Sequence, residues 1–167
     1  QEGGMNVGQW KEGICVDQDY SMHEPLLPPV FEKNSALTVE EILVQVRGLL
    51  NTAKISIGRE SEVEISHHHG LSRFREVGAV IITCVNRDYT KKLIVQLPRQ
   101  KHPYHRHIIK EETFQLLSGD LEVEIEGERR SLAPGDMVLV QPGSWHKFHT
   151  LNGCVFEEIS TTHHAAD

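Results

Sequence analysis

Histidines crowd parts of this sequence. Eleven occur in 167 residues, and most fall within 67–69, 102–107, 146–149 and 163–164. The most informative run is His105-Arg106-His107. In a strand, residues i and i+2 project from the same side, so two imidazoles emerge together, about 7 Å apart along the chain. Each can offer one neutral ring nitrogen to a borderline metal. Glu112 follows five residues after His107, and an intervening turn would let the next strand carry its carboxylate back to that side. His146, beyond another hairpin, would supply a third imidazole. Three imidazoles and one carboxylate suit one divalent ion, Mn, Fe, Zn, Ni or Co, and residue types alone do not rank these metals. An octahedral ion held this way keeps two positions for water or substrate.

Other residues could work around such an ion. Glu111 stands beside Glu112 and could be the ligand instead; Glu112, Phe114 and Leu116 would share one inward face. Lys91 and Lys92 enter a strand, so one of them points inward. A buried ammonium there could bind a carboxylate, a phosphate or an enediolate. Glu157 and Glu158 end another strand, and alternation sends one toward the interior as a candidate general base. Glu157, Glu158 and Lys92 are therefore the candidate catalytic residues. His67, His68 and His69 precede Gly70 and read as a turn or subunit contact, since three consecutive residues cannot share one strand face. Arg106 should point away from the ion. His149, Trp145 and Phe148 read as packing or support, and His163 and His164 as tail residues.

The elements that must position these groups are short. Thr38 and Glu41 form a capping box, and Val39, Ile42, Leu43, Val46, Leu49 and Leu50 recur at helical spacing. One amphipathic helix is expected over 39–51. From Lys54 the period becomes two: Ile55 and Ile57, Val63 and Ile65, then 79–85, 93–97, 113–117, 121–125, 137–141 and 155–159. Turn signals such as 86–88, Pro98, 118–119, Gly127, 134–135, 142–143 and 152–153 separate them. Regular short strands with tight turns predict an all-β barrel or sandwich. Residues 1–36 read as an irregular arm that packs on the barrel or on a partner subunit.

Composition narrows the function. A formal net charge of −7 argues against nucleic acid or an anionic membrane as partner, since both need a basic face. No apolar run approaches the ~20 residues of a membrane span, and no charged-then-apolar leader opens the chain, so a cytoplasmic location is expected. Cys15, Cys84 and Cys154 are far apart and odd in number, which fits free thiols in a reducing compartment.

His105-x-His107-x4-Glu112-x6-Gly119 resembles the first cupin motif, and Gly135-Asp136-x4-Gln141-Pro142-Gly143-x2-His146 resembles the second. The resemblance implies His105, His107, Glu112 and His146 as metal ligands. Three positions depart from the motifs. The family's glycine ahead of the first histidine falls at Arg99, its proline at Gln141 with Pro142 next, and its final asparagine at Thr150. None is a ligand. The segments SHHHGL, VNRDYTKKLIVQLPRQKHPYHRH, KEETFQLLSGDL and FEEISTTHH are similar to the cupin domain at the C-terminus of sialic acid synthase-like proteins. The synthase activity there belongs to a separate barrel. A more distant likeness runs to cupin sugar isomerases.

The resemblance implies a double-stranded β-helix (jelly-roll) barrel over 54–167, with the arm and helix of 1–53 packed on it. It also implies a homodimer and a carbohydrate-like small-molecule ligand. The function expected is metal-dependent isomerisation or epimerisation of a sugar or sugar acid. The alternatives are a non-catalytic sugar-binding module and an iron-dependent dioxygenase.

Overall fold

The structure is a computed structural model and describes residues 4–9 and 36–164. Among these described residues one α-helix, α1 (Val39–Thr52), and a 3-10 turn at Leu71–Arg73 accompany ten strands: β1 (Gly4–Gln9), β2 (Glu62–Ser66), β3 (Ala79–Asn86), β4 (Tyr89–Gln96), β5 (Glu112–Gly119), β6 (Leu121–Ile125), β7 (Glu128–Leu132), β8 (Met137–Val140), β9 (His146–His149) and β10 (Cys154–Thr161). Every strand pairing is antiparallel. The strands form a large sheet in the order β1-β2-β3-β4-β10-β5-β8 and a small one in the order β7-β6-β9. The chain is thus mostly β, with the jelly-roll architecture expected. Among the described residues no helix is long and apolar enough to cross a membrane.

Period-two alternation divides the large sheet into two faces. Its inner face contributes Phe114, Leu116, Val138 and Phe156, which meet Leu121, Val123 and Phe148 of the small sheet. Three of these rings interlock edge to face, with Phe148 and Phe156 centroids 5.0 Å apart and Phe114 and Phe156 5.3 Å apart. On the outer face lie Val63, Ile65, Val80, Ile82, Leu93, Val95 and Val155, covered by Ile42, Val46 and Leu50 of α1. Spacings of four residues place those three side chains on one stripe of the helix. The capping box fixes where the helix starts: the Glu41 backbone N–H donates to Thr38 Oγ1 at 3.2 Å, and the Thr38 N–H to Glu41 Oε2 at 2.8 Å. Beyond the helix, Met137, Leu139 and Ile159 leave the same outer face exposed.

Four details differ from the sequence reading. Gly4–Gln9 is a strand at the sheet edge, because the unpaired backbone of β2 offers hydrogen bonds to any extended segment; the rest of the arm and Cys15 lie outside the described residues. Residues 55–57 are irregular although they alternate, and Ile57 still packs into the core beneath α1. β7 is mostly exposed, so Glu128–Leu132 carries no apolar alternation to betray it. The segment holding His105 and His107 is a loop that touches the small sheet only through isolated bridges. Cys84 and Cys154 are free thiols, and burial pushes Cys154 up to about 12.

Gly119, the glycine of the first motif, has φ +88°, and a Cβ there would run into the Gly153 carbonyl. Gly127 has φ +83° with open space around it. Gly127→Ala should therefore cost only the left-handed backbone penalty of about 1–2 kcal/mol. Gly119→Ala should cost a further ~1–3 kcal/mol for the enforced shift. Urea unfolding of the two variants checks this; equal losses would refute it.

Candidate metal centre

The site lies where the loop between β4 and β5 crosses the end of the small sheet. Backbone bonds stitch that loop to β9. His105 N–H donates to the His146 carbonyl at 2.9 Å, His146 N–H to the His105 carbonyl at 2.8 Å, and His102 N–H to the Phe148 carbonyl at 2.8 Å. Gly143 N–H reaches the His107 carbonyl at 2.6 Å. This pairing, rather than strand alternation, brings the imidazoles of His105 and His146 together, centroids 4.1 Å apart. The His107 centroid lies 5.4 Å from that of His105 and 6.1 Å from that of His146. Glu112 enters from the large sheet as the first residue of β5. It is 2% exposed, whereas Glu111 is exposed. The four residues thus come from both sheets and the connecting loop.

Hydrogen bonding sets which ring nitrogen faces the centre. Nδ1 of His105 lies 2.9 Å from the Pro103 carbonyl, and Nδ1 of His146 lies 3.0 Å from the Ser144 carbonyl. A carbonyl only accepts, so the proton of each neutral ring sits on Nδ1 and Nε2 keeps its lone pair. Glu112 Oε2 stands 3.2 Å from His146 Nε2, and Glu112 Oε1 stands 3.7 Å from His107 Nε2. Glu112 Oε2 and His146 Nε2 are both buried without a hydrogen-bond partner among the described residues. Two lone pairs facing each other in an interior demand a cation. The donor chemistry therefore fits a divalent ion. The spacing is not that of a closed shell: among the described residues no three His, Cys, Asp or Glu donors are placed to hold an ion as they stand.

Part of the compensating charge comes from a residue that spacing arguments did not single out. Lys110 is 3% exposed. Its Nζ lies 2.6 Å from Glu112 Oε1 and 3.1 Å from Glu158 Oε1. Burial lowers its pKa, but Glu158 and Glu112 outweigh that and hold it above the usual lysine value. Burial likewise raises the Glu112 carboxyl, yet the neighbouring His146 and the Lys110 ammonium keep it well below the ordinary range.

A cavity of about 80 Å³ adjoins this group. His105, His107, Lys110 and Glu112 border it, together with Lys92 and Glu158. Lys92 and Glu158 are cross-strand neighbours on β4 and β10, both nearly buried. Glu157 is not part of the site. It occupies the outer face of β10, where it pairs with Lys91 at 2.5 Å. Alternation makes the two glutamates face opposite ways, and burial of the inward one identifies Glu158.

Three further histidines reach the cavity: His68, His102 and His163. His102 Nδ1 lies 3.2 Å from the Pro103 carbonyl, so its Nε2 accepts from His68 Nε2 at 3.0 Å. Its ring stacks on Phe148, centroids 4.6 Å apart. The signal for His102 was its place in the same histidine-rich run; the loop conformation, which breaks the i, i+2 rule, hid it. His163 looked like a tail residue. Its backbone N–H is instead held by Thr90 Oγ1 at 3.0 Å, which turns it over the barrel. His67, whose two buried ring nitrogens find no partner among the described residues, does not border the cavity. His69, His149 and His164 are exposed. Arg106 lies over the Trp145 ring at 4.9 Å, away from the centre.

Arg99 stands where the first motif has glycine, and it adopts φ +68°. The backbone requirement is kept although the side chain is not the one that meets it most easily.

Burial lowers the His105 pKa to about 3, helped by the neighbouring His146, and burial takes His102 well below 6.5. Both are neutral when folded and protonate readily when unfolded. The unfolded chain therefore binds more protons between pH 6.5 and about 3, and stability falls as pH drops through that window. Chelator-treated protein should unfold at lower urea at pH 5 than at pH 7; equal midpoints would refute the assignment.

Comparison with known proteins places this geometry in context. Residues 93–153 match the family model described as the cupin domain. No curated protein sequence matches the chain. Among solved structures, KdgF from Halomonas sp. aligns over 53% of this chain and 82% of that one, with TM-score 0.50 and 19% identity. A cupin 2 domain-containing protein from Halorhodospira halophila aligns over 51% of this chain and 65% of that one, with TM-score 0.48 and 21% identity. At 19% identity the likeness to KdgF is one of fold.

Proposed function

We propose that the protein is a cupin-type barrel that holds one divalent metal ion through His105, His107, Glu112 and His146 and uses the adjoining cavity for a small carbohydrate-type ligand. The supporting observation is the buried, unpartnered pair of Glu112 Oε2 and His146 Nε2, with the Nδ1 protons of His105 and His146 committed to carbonyls. Manganese, iron, zinc, nickel and cobalt all accept such donors. When bound, the ion would supply Lewis acidity toward adjacent hydroxyl and carbonyl oxygens of a substrate.

The remaining roles fall to the chain itself. Phe114 and Phe148 line the cavity with apolar surface that limits water. Glu158 is the inward carboxylate and would move a proton between neighbouring carbons in an isomerisation or epimerisation. The likeness of residues 62–164 to the cupin domain of sialic acid synthase-like proteins supports a sugar or sugar acid as the ligand.

A second reading, a sugar-binding module without turnover, is favoured by one observation. Glu158 Oε1 already accepts bonds from Lys110 Nζ at 3.1 Å and from Ser160 Oγ at 3.3 Å. A carboxylate held twice is stationary, as a binding wall requires.

Elemental analysis of metal-supplemented protein should find close to one transition-metal ion per chain, and the ion should raise the melting temperature. His146→Ala should weaken uptake at least about tenfold, or ~1.4 kcal/mol. Protein that takes up no metal would sink the proposal. Product from a panel of aldoses, ketoses and sugar acids selects the enzyme; saturable heat of binding without product selects the module.

Lys110→Met provides a separate check. Without metal, removing the ammonium leaves two buried carboxylates uncompensated and should cost about 3–5 kcal/mol. Metal should restore most of that loss and bind more tightly than to the parent, because no side-chain cation competes for Glu112. Thermal unfolding with and without manganese reads both effects, and a loss that metal does not reverse would contradict the shared role.

A further inference from the structure

Lys92 lies within β4, 6% exposed, with its side chain on the cavity wall. Its neighbours across the sheet are Thr83 on β3 and Glu158 on β10. Glu158 is already taken up by Lys110 and Ser160. Among the described residues Lys92 forms no hydrogen bond and no ion pair. Taking an ammonium out of water costs several kcal/mol unless a partner answers it. A leucine or methionine would fill the position at no such cost. Burial accordingly lowers the Lys92 pKa, with Glu158 and Glu64 opposing from a distance.

A second donor stands at the same wall. His163 Nδ1 is buried and has no partner among the described residues. The His163 backbone is fixed by Thr90 Oγ1 at 3.0 Å and Asn86 Oδ1 at 3.2 Å. Its ring is near enough to Lys92 for that charge to help lower its pKa, after burial. Glu64, Lys110, Glu112 and Glu158 border the cavity as well; Lys110 is engaged by Glu112 and Glu158, which leaves Lys92 as the lining ammonium that has no ion pair among the described residues. The space, about 80 Å³, admits a few waters or the head group of a small ligand.

We propose that Lys92, with His163 beside it, is the anchor for an oxyanionic group, carboxylate or phosphate, at the end of a small polyhydroxylated ligand. The inference rests on the reading of the adjoining His105, His107, Glu112 and His146 as the place where the ligand's neutral oxygens go. It converts a general carbohydrate site into one for an acidic sugar derivative. Lys92 is the residue that sets this specificity. A charged hydrogen bond made in a desolvated setting separates an anion from its neutral analogue by about ten- to a hundredfold in affinity.

Titration calorimetry on the manganese-loaded full chain tests this with three probes that share a three-carbon frame: glycerate, glycerol phosphate and glycerol. At least one anion should bind about tenfold or more tightly than glycerol, and the two anions tell carboxylate from phosphate. Lys92→Met should abolish that margin while metal uptake is retained, and Lys92→Arg should keep part of it. Should Lys92→Met fail to fold, Lys92→Gln takes its place. Neither anion exceeding glycerol, or a preference that survives loss of Lys92, overturns the inference. If the chain takes up no metal, the proposed function falls by itself. The same three titrations on the metal-free chain then decide the anion anchor by the same criteria.

Discussion

A carboxylate buried against imidazole lone pairs is the constraint from which the barrel's interior follows. Glu112 cannot stay ionised at 2% exposure without positive charge close by. Lys110 supplies one such charge from the loop, and His146 Nε2 offers another acceptor where a donor would be needed. Neighbouring groups are arranged around that demand. Pro103 and Ser144 turn two imidazoles by accepting their Nδ1 protons, and Phe148 and Phe114 close the apolar side.

Much of this was legible in the sequence because it follows from periodicity and motif spacing. The helix, capped by Thr38 and Glu41, needed only local information. The inward direction of Phe114 and Leu116 followed from alternation, and so did the opposite orientations of Glu157 and Glu158. What alternation could not supply was which of the two glutamates faces in, since parity is relative until one residue of the strand is anchored in the core. Phe156 provides that anchor here.

The unread parts share a different cause. His102, Lys110 and His163 lie on irregular backbone outside strands, where no period predicts direction. Their positions depend on contacts between segments distant in sequence: the Phe148 carbonyl for His102, Glu158 for Lys110, Thr90 for His163. β7 and the edge strand at Gly4–Gln9 escaped because exposed or peripheral strands are held by backbone bonds that leave no mark on side-chain pattern. Arg99 shows the converse. The motif's glycine position is visible in the backbone, at φ +68°, although the letter in the sequence is another.

The large sheet acts as a partition. Its outer face carries one apolar cluster, clamped by α1, and its inner face carries another that grades into the polar cavity. Cohesion of the outer layer is therefore insulated from whatever chemistry the inner one hosts. Cavity-lining residues can be replaced while the helix-clamped layer keeps the chain folded. Such a division of labour lets the inner face change without first reinforcing the frame.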